Sequence, residues 1–174
     1  MELTEITPKE LLKTALSLTE IPQGIHVVDA TEDKPTVKAD AEKLRRVFVN
    51  IIRNAFDAMP DGGILTVKSM NVKGKLEVSF KDTGTGMSKE TLSKLKGGVP
   101  LFTTKAKGMG FGVPICKRVV EAHGGELLVE SKVGKGTTVT ITVPVKPKPV
   151  GPVKDLWIFN ESMMETVNAK HKTK

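Results

Sequence analysis

The sequence predicts an α+β protein, a two-layer sandwich in which a mixed, mostly antiparallel sheet is covered on one face by about three helices. Three observations predict it. Residues 41–59 carry Leu44, Val47, Phe48, Ile51, Ile52, Ala55, Phe56 and Met59 at steps of three and four, the pattern of one strongly amphipathic helix. Short alternating β-prone runs come in pairs separated by glycine-rich or polar turns. The segments follow the order α-β-β-α-β-β-α-β-β, which suits helices layered on a largely hairpin-linked sheet.

Each element has its own signal. Thr7-Pro8-Lys9-Glu10 matches a capping box with proline at the first helical position, and Leu11, Leu12, Ala15 and Leu16 follow at helical spacing. Residues 25–30 and 36–38 are β-prone, and Asp40 opens the long helix. Pro60-Asp61-Gly62-Gly63 stops it, after which 64–70 and 76–80 alternate as two strands of a hairpin. Residues 81–112 contain seven glycines, many lysines and one helical patch at 88–95; so long an irregular stretch inside a domain is usually functional. A helix over 113–123 ends at Gly124-Gly125, and strands at 126–131 and 137–145 flank a Gly134–Gly136 turn. The domain is expected to span 1–145. Residues 146–174 read as a Lys/Pro-rich linker and a tail carrying Leu156-Trp157-Ile158-Phe159.

Composition narrows the class. With 39% hydrophobic and 27% charged residues among 174, the chain suits one soluble domain, and it lacks an apolar run long enough to cross a membrane. The opening residues lack the pattern of a secretory signal, and the single Cys116 cannot form an internal disulfide, so a cytoplasmic setting is expected. Of the net charge of +7, the last 29 residues carry +3. No tyrosine and one tryptophan leave little for base stacking, so nucleic acid is not an expected partner.

Three groups of residues carry chemistry. Asn50, Asn54 and Asp57 fall within about 60° of one another around the 41–59 helix. An amide carbonyl is a neutral oxygen ligand suited to a Mg²⁺ that already carries phosphate and water, though the same face reads equally as a solvated one. Asp82-Thr83-Gly84-Thr85-Gly86-Met87 follows a strand; its glycines let the backbone approach a ligand, and its carboxylate could accept from an exocyclic amine. Alone, this motif is as often an ordinary turn, or half of an aspartic protease that needs a second copy. Phe102-Thr103-Thr104-Lys105 precedes Gly108-Met109-Gly110-Phe111-Gly112, which leads into a helix. Free N–H groups and the helix dipole there make an anion site, unless the glycines are only a flexible linker. The spacing matches neither the dinucleotide fingerprint nor the phosphate loop of P-loop proteins.

Taken together, residues 2–145 resemble the ATP-binding catalytic domain of sensor histidine kinases, a Bergerat-type fold shared with gyrase, mismatch-repair ATPases and a heat-shock chaperone. RRVFVNIIRNAFDAMPDGG resembles the family's N box, DTGTGM its first glycine box, PLFTTK its F box, GMGFG its second glycine box, and Gly136-Thr137 its closing pair. The resemblance implies that Asn54 binds Mg²⁺ with help from Asn50 and that Asp57 borders the nucleotide. It implies that Asp82 accepts from the adenine amine, with Gly84, Gly86 and Met87 shaping the pocket and Thr137 joining through water. Gly108, Met109, Gly110, Phe111 and Gly112 would border the triphosphate, Phe102, Thr103 and Thr104 would line its edge, and Lys105 would meet its terminal end. Residues 88–107 would form a lid. In the second glycine box Met109, Phe111, Val113 and Pro114 depart from the family's common residues, as Arg46 does in the N box.

Position 50 separates mechanisms. Hydrolytic relatives carry a glutamate there, whereas an asparagine cannot take a proton at neutral pH, which favours transfer over hydrolysis. His26, His123 and His171 all lack the acidic neighbour of the family's acceptor histidine, so each reads as structural. The acceptor is expected on a dimerisation hairpin outside this chain, with ATP and ADP as ligands, a response regulator as downstream partner, and a monomeric isolated domain. Cys116 reads as a buried helix residue. The rival readings are a serine kinase of the anti-sigma-factor type, a non-catalytic ATP-gated interaction module and an aspartic protease dimer.

Overall fold

The computed structural model describes residues 2–96 and 112–146. Its elements, in chain order, are β1 (Thr4–Ile6), α1 (Pro8–Ser17), β2 (Ile25–Ala30), β3 (Val37–Ala39), α2 (Ala41–Asp57), β4 (Gly63–Val72), β5 (Lys75–Asp82), α3 (Lys89–Lys96), α4 (Gly112–Ala122), β6 (Glu126–Lys132) and β7 (Gly136–Pro144). A five-stranded sheet runs β2-β4-β5-β7-β6. Only β2 and β4 are parallel; the other pairs are antiparallel.

The sheet's inward rows explain the layering. Leu65 and Val67, then Leu76, Val78 and Phe80, then Ile141 and Val143, alternate with exposed or half-buried neighbours and join one core with the apolar stripe of α2. Phe48 of α2 meets Phe80 of β5 edge to face, ring centroids 5.0 Å apart. The helix starts are set by side chains. Thr7 Oγ1 accepts from Glu10 N at 3.2 Å while Glu10 Oε2 accepts from Thr7 N at 3.0 Å, with Pro8 in the first turn. Asp40 caps α2 by accepting from Lys43 N at 3.1 Å.

One feature departs from the expected order. β1 is an additional strand, and it pairs with β3 in a separate two-stranded ribbon, so β2 and β3 are not hairpin partners. The described residues hold four helices, the short α3 falling on the helical patch expected at 88–95. The linker and tail from Pro147 onward lie outside the described residues.

His123, just past α4, ties that helix to the start of α2. Asp40 N donates to His123 Nε2 at 3.1 Å, and His123 Nδ1 lies 2.7 Å from the Val119 carbonyl. A carbonyl only accepts, so Nδ1 carries the proton and the ring is neutral. Burial pushes the imidazole below its ordinary pKa, against the opposing pull of the Val119 carbonyl and Asp40.

Candidate functional site

Asp82 ends β5, Ser131 lies near the end of β6 and Thr137 opens β7. By strand alternation all three continue the inward rows, just beyond Phe80, Val129 and Val139, where the hydrophobic face gives way to polar groups. Asp82 is 5% exposed. Its Oδ1 accepts from Gly84 N at 2.9 Å and from Thr137 N at 3.1 Å, and neither bond uses Oδ2. Burial pushes the Asp82 carboxyl above the usual carboxylate range, and the two N–H groups offset only part of that.

The first glycine stretch is threaded between α2 and the β6–β7 turn. Thr85 N donates to the Ala58 carbonyl at the end of α2 at 2.9 Å, and Gly134 N donates to the Thr85 carbonyl at 2.8 Å. A Cβ on Gly84 would collide with that same Ala58 carbonyl. Gly86 sits at φ +67°, and a Cβ there would run into the carbonyl of Lys132. These two glycines are therefore dictated by close backbone passage on either side of the chain.

Along α2, Asn50 is half-buried, whereas Asn54 and Asp57 are exposed. Asn50 Nδ2 makes a long contact of 3.8 Å to Cys116 Sγ, itself 3.9 Å from the Val47 carbonyl. Burial pushes the Cys116 thiol up to about 11, so at neutral pH it is a packed, unreactive group. Among the described residues outside its own helix, the atoms nearest to where a Cβ on Gly112 would stand are Asn54 Nδ2 at 3.6 Å and Oδ1 at 4.0 Å. The N-terminus of α4 thus lies near the Asn54 amide, so the backbone N–H groups of a helix start and a carbonyl oxygen share one neighbourhood.

The C-terminal half of α2 is the common wall. Asn54 stands near Gly112 at the start of α4, and one turn later the Ala58 carbonyl accepts from Thr85 N in the glycine stretch that follows Asp82. Asp82, Gly84, Met87 and Thr137 are joined by hydrogen bonds, Met87 through Ser131; Gly86 lies between Gly84 and Met87, Gly112 stands near Asn54, and Asn50 and Asp57 lie on the same helix as Asn54. Phe102, Thr103, Thr104, Lys105, Gly108, Met109, Gly110 and Phe111 lie outside the described residues. A shallow depression of about 290 Å³ beside β3, lined by Glu5, Thr36, Lys38 and Lys146 among others, contains none of the expected site residues. Among the described residues no three His, Cys, Asp or Glu side chains group as a metal cage. A divalent ion held here would rest on amide oxygen and on ligand phosphates, which is the donor chemistry that Asn54 offers beside the cradle at Gly112.

Ser131 is bonded to two of the expected site residues, and motif reading missed it. Its Oγ accepts from Met87 N at 2.8 Å, lies 2.9 Å from Thr137 Oγ1 and donates to the Gly136 carbonyl at 3.1 Å. The signal was present, since a hairpin turned at Gly134–Gly136 pairs Ser131 with Thr137 across the strands.

Residues 39–147 match the sequence profile of the family described as histidine kinase-, DNA gyrase B- and HSP90-like ATPase. The chain belongs to this family. Sporulation kinase C of Bacillus subtilis is 41% identical over 110 residues, which are 63% of this chain and 25% of that protein. The nucleotide-free catalytic domain of the histidine kinase ThkA superposes with a TM-score of 0.73 at 28% identity, covering 84% of this chain and 98% of that domain. ThkA in complex with the response regulator protein TrrA gives 0.71 at 25% identity, with 85% of this chain and 43% of that chain covered. The chain therefore spans a quarter of sporulation kinase C and less than half of ThkA. Membership of this ATPase family sets aside the aspartic protease reading of Asp82-Thr83-Gly84.

Proposed function

We propose that the chain is the ATP-binding catalytic domain of a two-component sensor histidine kinase. It transfers the γ-phosphoryl group of ATP to a histidine on a dimerisation hairpin supplied by the parent protein or by another protein. The observation that carries this reading is the convergence on the C-terminal half of α2, where Asn54 stands near Gly112 at the start of α4 and the Ala58 carbonyl accepts from Thr85 N in the glycine stretch after Asp82. Asp82 Oδ2 accepts from the adenine amine, Thr137 joins it, and Gly84, Gly86 and Met87 shape the base pocket. Asn54, assisted by Asn50, holds Mg²⁺, which neutralises phosphate charge when bound. Asp57 borders the same side. Gly112 and the glycines before it offer N–H donors to the phosphates, and Lys105 meets their terminal end.

In the transfer, an imidazole nitrogen forms the N–P bond as the bridging P–O bond breaks, and ADP leaves with that electron pair. Asn50 places no carboxylate beside the γ-phosphate to activate water, so the phosphoryl group is kept for the histidine. Catalysis then rests on positioning and charge. The response regulator is the downstream acceptor, a role supported by the complex of ThkA with TrrA. The site works on the cytoplasmic side, where ATP is found, and among the described residues no helix is long and apolar enough to cross a membrane.

The test is incubation of the chain with radiolabelled ATP and a purified histidine-bearing hairpin. Acid-labile, base-stable label on the hairpin is expected. Acid-stable label would instead assign a serine kinase of the anti-sigma-factor type. ATP binding without transfer to any hairpin would leave a non-catalytic ATP-gated module.

A further inference from the structure

We propose that Ser131 is a positioning residue that sets the base preference of the site, by fixing which way the Thr137 hydroxyl points its proton. The inference rests on the nucleotide reading above and follows from proton counting. A serine hydroxyl has one proton and two acceptor positions. The Met87 N–H occupies one acceptor position of Ser131 Oγ, at 2.8 Å. The Gly136 carbonyl, 3.1 Å away, can only accept, so it takes the Ser131 proton. Thr137 Oγ1, at 2.9 Å, is left to donate to the second acceptor position of Ser131.

With its proton committed, Thr137 Oγ1 is left as an acceptor toward a bound base. Beside it stands Asp82, whose Oδ1 is held by Gly84 N and Thr137 N and whose Oδ2 is a further acceptor. Two neighbouring acceptors, one of them on a buried carboxylate, select an exocyclic amine, which brings two donors directly or through water. A base with a carbonyl in that place sets lone pairs against lone pairs, and a site left with unpaired polar groups rejects its ligand strongly. Ser131 needs no ligand contact for this effect. It acts through Thr137, and through Met87 it also fixes the chain just after Gly86.

The experiment compares binding of ATP and inosine triphosphate, which carries a carbonyl in place of the adenine amine, by the unaltered chain, Ser131→Ala and Ser131→Thr. Removing the Ser131 hydroxyl frees the Thr137 proton to donate, so Ser131→Ala should lower the preference for ATP about tenfold. Ser131→Thr keeps a hydroxyl and should keep most of the preference. A purely structural role predicts a different result: both affinities fall together, the melting temperature falls, and their ratio stays constant. That constant ratio would overturn the inference while leaving the nucleotide reading intact. Binding of neither nucleotide by the unaltered chain would overturn both. If Ser131→Ala does not fold, loss of the preference in a folded Ser131→Thr would contradict the proposal on its own.

Discussion

At the β5–β7 end of the region, the Asp82 carboxylate, the Ser131 and Thr137 hydroxyls and the N–H groups of Gly84, Met87 and Thr137 already bind one another. One helical turn back along α2 from Ala58, Asn54 stands exposed. The first end is organised by hydrogen bonds and close backbone passage, the second by its place on a well-packed scaffold. In such a division, changes at the first end should alter stability and binding together. Changes at the second should alter binding alone.

Asn54→Ala tests the second half of that statement and carries the largest expected effect. Affinity for ATP with Mg²⁺ should fall by about a hundredfold, since even outer-shell changes at metal sites cost about 10–100-fold. Adenosine affinity should not change, and stability should stay within about 0.5 kcal/mol because the side chain is exposed. Equal loss of ATP and adenosine affinity would break the division. Gly86→Ala tests the first half. The positive φ and the collision with the Lys132 carbonyl should cost about 2 kcal/mol of stability, read by denaturant unfolding, together with a loss of adenosine binding.

Asp82→Asn sharpens the contrast. Asparagine Oδ1 can keep the bonds from Gly84 and Thr137, while its amide nitrogen would present donors to a donor ligand, so adenosine affinity should drop about tenfold. Its stability effect has the opposite sign. Because the folded-state pKa of Asp82 is raised, its ionised form is disfavoured on folding, and stability falls as pH rises from the ordinary carboxylate value through the raised one. Removing that charge should raise the ligand-free melting temperature at neutral pH. An unchanged or lower value would contradict a carboxylate whose ionised form is disfavoured by burial.

The smallest effect belongs to neither end. His123 has a depressed folded-state pKa, so its contribution to stability is present above about pH 6.5 and is lost as pH falls through the depressed value. Thermal melts between pH 7.5 and pH 5 should show this decline, and His123→Gln should flatten it. Persistence of the full slope in that variant would assign the titration elsewhere.

The helices were legible because their causes are local. Thr7 with Glu10, Asp40, and the stripe from Leu44 to Phe56 each act within a few residues of their own position. The hairpin of β4 and β5 was legible for the same reason. β1 was not, since three residues without alternation become a strand only by pairing with β3 more than thirty positions away. The parallel pairing of β2 with β4 is likewise set across the whole of α2. At the site, glycines and amides stood out by type and spacing, whereas Ser131 is an ordinary residue whose importance lies in three bonds that exist only once β6, β7 and the glycine stretch are assembled.

The most direct measurement is calorimetric titration of the chain with ATP and with adenosine, each with and without Mg²⁺. A single site is expected, with ATP bound more tightly when Mg²⁺ is present and adenosine indifferent to the metal. Absence of heat with either ligand, or an ATP affinity that ignores Mg²⁺, would contradict a shared cleft in which α2 serves the phosphates and Asp82 serves the base.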